Sequence, residues 1–188
     1  MSTTRIIGLS GSLRAASFNT GLLRAAAAGL MPEGSELIVR TIHGIPLYDG
    51  DVEEKDGIPA AVTELGRLIA ETDGLIIASP EYNNSLPGPL KNAIDWLSRI
   101  DDDGAKPVFA GKPVAVIGAT PGGFGTVLGQ SAWLPVLRTL ETRAWFGGRL
   151  TVAKASGLSD ATGLLTDEGT KAKVRDFLAG FVAFAKSA

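Results

Sequence analysis

The sequence predicts an α/β protein built on a doubly wound parallel sheet, and three observations carry that reading. Short, continuous apolar runs such as Ile6–Leu9, Gly74–Ala78 and Val114–Ile117 suit strands buried on both faces. Stretches with apolar residues at helical spacing alternate with these runs, giving five strands and five helices. The residues able to do chemistry gather in loops that follow the apolar runs, where an open parallel sheet forms its ligand crevice.

Each element can be justified in turn. Arg5 to Leu9 reads as the first buried strand, and Leu22, Leu23, Ala26, Ala27 and Leu30 mark a helix from Phe18 that Pro32 and Gly34 close. Glu36 to Ile42 is rich in β-branched residues but carries Arg40, which places it nearer the sheet edge. His43 to Gly57 reads as a loop. Ile58, Val62, Leu65 and Ile69 then give an amphipathic helix with Pro59 in its first turn. Gly74 to Ser79 is the third strand; Leu90, Ile94 and Leu97 mark a helix that Pro89 can start, and the acidic run Asp101–Asp103 ends it as a solvated loop. Lys112 to Gly118 is the fourth strand. A helix over Thr126 to Leu140 should kink or restart at Pro135. The fifth strand is expected around Arg149 to Ala153, and Val174, Phe177, Leu178 and Phe181 define a last helix from about Thr170 to Lys186.

Composition bounds what such a chain can do. With 188 residues it is expected to form one domain, 1–188, burying roughly 70% of its unfolded surface. The formal net charge is −2, without the basic footprint of a nucleic-acid binder or the strong acidity of a small electron carrier. There is no cysteine and a single histidine, His43, which removes thiolate nucleophiles, disulfides, Cys-ligated clusters and multi-histidine metal sites. No apolar run reaches the roughly 18 residues of a bilayer span, and the first residues lack the apolar core of a signal peptide, so a cytoplasmic protein without membrane contact is expected.

Three loops stand out. The first, Ser10 to Asn19, joins a strand to a helix and suits a phosphate, because a helix N-terminus offers unpaired amides and a favourable dipole. Ser10, Ser12 and Ser17 add hydroxyls, Arg14 adds a charged fork, and Asn19 can cap the helix or donate from its amide. It lacks the Gly-Lys-Ser/Thr of a Walker loop and the third glycine of a dinucleotide turn, which favours a terminal phosphate over a buried pyrophosphate. The second loop, Pro80 to Pro89, holds three further features: fixed proline geometry, preorganised amides and the Tyr82 ring, as the edge of a flat heterocycle requires. In the third, Ala119 to Thr126, Gly122, Gly123 and Gly125 let the main chain approach a ligand closely.

Gly11-Ser12-Leu13-Arg14 with Ser17 and Asn19, then Ser79-Pro80-Glu81-Tyr82-Asn83 and Pro87-Gly88-Pro89-Leu90-Lys91-Asn92-Ala93-Ile94-Asp95-Trp96, resembles the NADPH-dependent FMN reductases, a group that includes chromate, quinone and azo-dye reductases. The resemblance spans nearly the whole chain and implies a flavodoxin-like fold with strand order 2-1-3-4-5 and bound FMN. It implies that Ser10, Ser12, Arg14, Ser17, Asn19 and Thr20 face the FMN phosphate. Pro80, Glu81, Tyr82 and Asn83 would follow the ribityl chain and ring, mainly through main-chain atoms, and Thr120, Gly122 and Gly123 would close the other side. It also implies a homodimer or homotetramer with the flavin near a subunit interface. The Asp101–Lys106 stretch departs from the family, where a shorter Pro-bearing turn is expected.

Function follows as an expectation. NADPH or NADH would pass a hydride to FMN, and a small acceptor such as a flavin, quinone, chromate or azo compound would take the electrons; no side-chain acid or base is required when the cofactor carries the chemistry. Glu81 is expected to point away as a structural residue, Lys91 and Asp95 to form a surface or interface pair, and His43 to be a loop residue outside catalysis. Trp96, Trp133, Trp145 and Phe146 are expected in the core or an interface. The rival readings are a flavodoxin-type electron carrier and a non-redox nucleotide-binding module.

Overall fold

The computed structural model describes residues 3–100 and 107–187. The expected acidic turn at Asp101–Asp103, and the departure at Asp101–Lys106, lie outside the described residues. Strands β1 (Thr4–Ser10), β2 (Ser35–Thr41), β3 (Gly74–Ala78), β4 (Pro113–Ala119) and β5 (Arg143–Ala144) form a parallel sheet in the order 2-1-3-4-5, with β6 (Thr151–Val152) also pairing with β4. Helices cover both faces: α1 (Phe18–Gly29) and α7 (Glu168–Lys186) on one, α3 (Ala60–Ala70) and α4 (Gly88–Leu97) on the other. β1 and β3 are buried almost throughout because each face feeds a separate apolar core. No described helix is long and apolar enough to cross a membrane.

Three elements differ from the sequence reading. The fifth strand is split rather than continuous over Arg149–Ala153: Arg143–Ala144 pairs with Pro113–Val114, and Thr151–Val152 pairs with Gly118–Ala119. Between them residues 145–150 bulge past residues 115–117. The cause is Trp145, whose ring turns onto α7 and packs 4.9 Å from Phe177 and 5.8 Å from Phe181. Gly147 and Gly148 complete the bulge, since a Cβ there would stand 2.6 and 2.9 Å from that indole. The long helix over Thr126–Leu140 is two short ones, α5 (Val127–Ala132) and α6 (Leu134–Thr139). Its break falls at Trp133, which leaves Pro135 in the first turn of α6, where its missing N–H is harmless.

Within His43–Gly57, read as loop, lies the helix α2 (Gly50–Asp56). It buries no residue, so it carries no apolar stripe; its capping residue Asp49 accepts from the Asp51 N–H at 3.0 Å. Glu53 on α2 bonds Arg99 at 2.9 Å and Tyr48 at 2.8 Å, and the Arg99 bond holds its carboxyl below the usual carboxylate range.

The start of α7 should be acid-sensitive. Asp167 caps it, and hydrogen bonds from Thr170 hold the Asp167 carboxyl below its ordinary range. A depressed folded-state pKa means that the stabilisation is complete above the unfolded value, about 3.9, and is lost as pH falls through the folded one. We therefore expect the wild-type protein to melt above Asp167→Ala near neutral pH. That gap should narrow as the pH is lowered through the carboxylate range, measured by thermal melts at a series of pH values.

Candidate functional site

The carboxyl ends of β1, β3 and β4 carry the three loops singled out by their composition. They converge on one cleft of about 250 Å³, lined by Ser12, Arg14, Ser17, Phe18, Asn19, Pro80, Glu81, Tyr82, Ala119, Thr120 and Pro121. Eight of the thirteen expected site residues thus share one surface. Ser10 and Thr20 lie beneath it, fully or almost fully buried and bonded to each other through their hydroxyls at 2.8 Å. Asn83, Gly122 and Gly123 are in the same loops but outside the lining.

The first loop is arranged as an anion receptor. Ser17, rather than Asn19, caps α1, its hydroxyl accepting from the Thr20 N–H at 3.2 Å. Ser12 Oγ accepts from the Arg14 N–H at 3.3 Å, and Ser10 Oγ from the Ser12 N–H at 3.4 Å. The backbone N–H groups of Leu13, Ala15 and Ala16 find no protein acceptor among the described residues, while Ala15 and Ala16 form a hydrogen-bonded turn ahead of Ser17. Those amides, two hydroxyls, an exposed guanidinium and a helix N-terminus form a donor set, and the one carboxylate of the cleft lining, Glu81, is bonded to the Gly129 N–H. It fits a phosphate.

Asn19 has another task. Its amide donates to the Ala119 carbonyl and accepts from the Ala119 N–H, both at 2.9 Å, so it imitates a strand partner at the end of β4. Both polar ends of this side chain are occupied, and it ties the phosphate loop to the third loop. His43, read as an idle loop residue, braces the same region: Nε2 lies 3.3 Å from the Leu13 carbonyl and Nδ1 3.0 Å from Thr41 Oγ1. Neither the Asn19–Ala119 link nor the His43–Leu13 link has a local sequence signal, because each joins positions far apart in the chain.

The second loop is a tight turn. Tyr82 and Ser85 exchange two backbone hydrogen bonds at 3.0 and 3.1 Å, with Asn83 and Asn84 both at positive φ. Asn tolerates that conformation better than other non-glycine residues. Tyr82 is left 45% exposed at the cleft mouth. Glu81 turns away as expected, its Oε2 accepting from the Gly129 N–H at 2.7 Å. Beneath the loop Ser79 Oγ donates to the Pro80 carbonyl and accepts from Trp133 Nε1, both at 2.9 Å. Trp96 and Trp133 are core residues, whereas Phe146 is exposed. Lys91 and Asp95 pair on the surface of α4.

The third loop is held from outside by β6 and the segment after it. Thr120 N–H donates to the Val152 carbonyl at 2.9 Å, Lys154 N–H to the Gly122 carbonyl at 2.9 Å, and Ala155 N–H to the Thr120 carbonyl at 3.0 Å. The cleft therefore pairs a phosphate-sized donor set at one end with a proline-walled, partly aromatic mouth at the other. Among the described residues no three His, Asp or Glu side chains gather as a metal would need.

Comparison with known proteins finds a family of flavin-dependent reductases. Residues 4–157 match the family described as NADPH-dependent FMN reductase. A Pseudomonas aeruginosa protein named NAD(P)H-dependent FMN reductase is 38% identical over 174 residues, covering 93% of this chain and 91% of its own. The Escherichia coli quinone reductase is 36% identical over 186 residues, covering 96% and 94%. Among solved structures, the Paracoccus denitrificans flavoenzyme FerB, an NAD(P)H:(acceptor) oxidoreductase, superposes with a TM-score of 0.79 at 30% identity and covers 98% of both chains.

Proposed function

The chain belongs to the NADPH-dependent FMN reductase family, and from that premise we propose which of its residues hold the cofactor and what they do for the reaction. It is an oxidoreductase that uses FMN and a reduced nicotinamide. The phosphate end of the cleft takes the FMN phosphate, through the free amides of Leu13, Ala15 and Ala16, the Ser12 and Ser17 hydroxyls and Arg14. The observation that carries this assignment is the unpaired donor set at the α1 N-terminus. Ser10 and Thr20 act one layer below, and together with Asn19 on the cleft wall they hold the loop in shape. Pro80, Glu81, Tyr82 and Asn83, with Thr120, Gly122 and Gly123, frame the ring end.

The flavin, when bound, supplies hydride acceptance from the nicotinamide and electron delivery to a small acceptor such as a quinone or a flavin. The chain's own residues supply geometry and electrostatics. Arg14 and the α1 N-terminus balance the phosphate charge. The Glu81 carboxylate, anchored on Gly129, is kept from placing a negative charge in the cleft. The Tyr82–Ser85 turn and the strand-like clamp of Asn19 limit movement at the ring end, which suits a reaction whose main demand is alignment of two flat groups. We further propose one domain over residues 1–188, a cytoplasmic location and a homodimeric or homotetrameric assembly.

A visible spectrum of the purified protein, followed by anaerobic addition of NADPH, tests the reading. A yellow protein that bleaches supports it; a colourless protein that takes up no added FMN overturns it. Arg14→Ala should weaken FMN binding by about 1.5–3 kcal/mol, the scale of a hydrogen bond to a charged group. An unchanged dissociation constant in a fluorescence titration would remove Arg14 from the phosphate site.

A further inference from the structure

We propose that the segment from Thr151 to Leu165 is a clasp that fixes the spacing between the phosphate loop and the ring loop, with Asp160 as its positioning residue; this rests on the FMN reading above. The first half of the segment is pinned to the ring loop by the three backbone bonds to Thr120 and Gly122, around Lys154 at positive φ. Its second half is a knob held closed by Asp160. One carboxylate oxygen accepts from the Thr162 N–H at 2.8 Å, the Thr162 hydroxyl at 2.7 Å and the Leu164 N–H at 3.1 Å. The Asp160 backbone adds two more bonds, from its N–H to the Leu164 carbonyl and from the Gly163 N–H to its carbonyl, both at 3.0 Å.

The closed knob presents Gly163, at φ +84°, to the N-terminal turn of α1. Main chain lies directly on main chain there. A Cβ on Gly21 would stand 1.7 Å from the Gly163 carbonyl oxygen, and a Cβ on Gly163 would stand 3.0 Å from the backbone of Ala16 and Ser17. Ala16 carries a free amide of the phosphate loop and Ser17 caps α1, so one short stretch of chain touches both ends of the cleft. Asp160 touches no reacting atom; it acts by keeping Gly163 seated behind Ser17.

Asp160→Ala and Asp160→Asn separate this role from general stability. Asparagine keeps an oxygen acceptor at the position that takes all three bonds, whereas alanine removes it. With the apoproteins confirmed as folded by far-ultraviolet circular dichroism, D160A should bind FMN about tenfold more weakly than wild type, the effect of losing roughly one good hydrogen bond. D160N should stay close to wild type. The visible circular dichroism of the FMN-saturated proteins reports the ring end; it should change in D160A and return to the wild-type form in D160N. Wild-type FMN affinity in D160A, or weakened affinity with an unaltered visible spectrum, would overturn the clasp while leaving the FMN reading intact. Failure of the wild-type protein itself to bind FMN would overturn that reading and the clasp together.

Discussion

Asn19→Ala should lower the stability of the protein by about 2–5 kcal/mol, read as an earlier urea midpoint with little change in slope. The substitution deletes the two 2.9 Å bonds to Ala119 and leaves that buried residue's N–H and carbonyl without partners. A buried backbone group without a hydrogen bond costs about 1–3 kcal/mol, and here there are two. Asn19→Asp should also destabilise, since a carboxylate keeps the acceptor but sets an anion against the Ala119 carbonyl. A midpoint for Asn19→Ala within error of wild type would sink the view that this side chain ties the first loop to the third.

Gly118→Ala is expected to be comparably severe, at about 3 kcal/mol or more, the upper part of the range for forced overpacking. A Cβ at this position of β4 would stand 2.4 Å from the Ser79 carbonyl oxygen and 2.3 Å from Thr126 Oγ1. Ser79 leads into the second loop and Thr126 ends the third, so relief of the clash must move one or both. The variant should therefore lose FMN affinity as well as stability, unlike Arg14→Ala, whose exposed side chain carries no part of the fold. Thermal melts of the apoprotein set beside an FMN titration distinguish them. Unchanged melting and unchanged affinity would contradict the close packing of strand β4 between those loops.

The sequence was legible wherever function depended on short-range pattern. Ile6–Asn19 announced a strand, a turn rich in hydroxyls and a helix start, and the structure has all three in that order. The order of the sheet followed from the family likeness of the loops, and the buried runs marked its central strands. What escaped was long-range or polar. The Asn19–Ala119 clamp spans 100 residues, and nothing near Asn19 distinguishes a clamp from a cap. Helix α2 has no buried face to generate periodicity. The knob around Asp160 reads as an ordinary polar turn, because its importance comes from where Gly163 lands. The split of the fifth strand depends on Trp145 finding α7, a tertiary contact that overrides local strand preference.

That split strand also bears on how the molecule behaves in a crowded solution. A sheet edge of seven uninterrupted residues would offer a ready ladder to any exposed strand from another molecule. Here the edge beyond β4 consists of two two-residue steps separated by residues 145–150, which belong to no strand. Such an edge cannot template an incoming strand over more than a step or two. The detour that accommodates one tryptophan thereby guards this side of the protein against edge-to-edge aggregation.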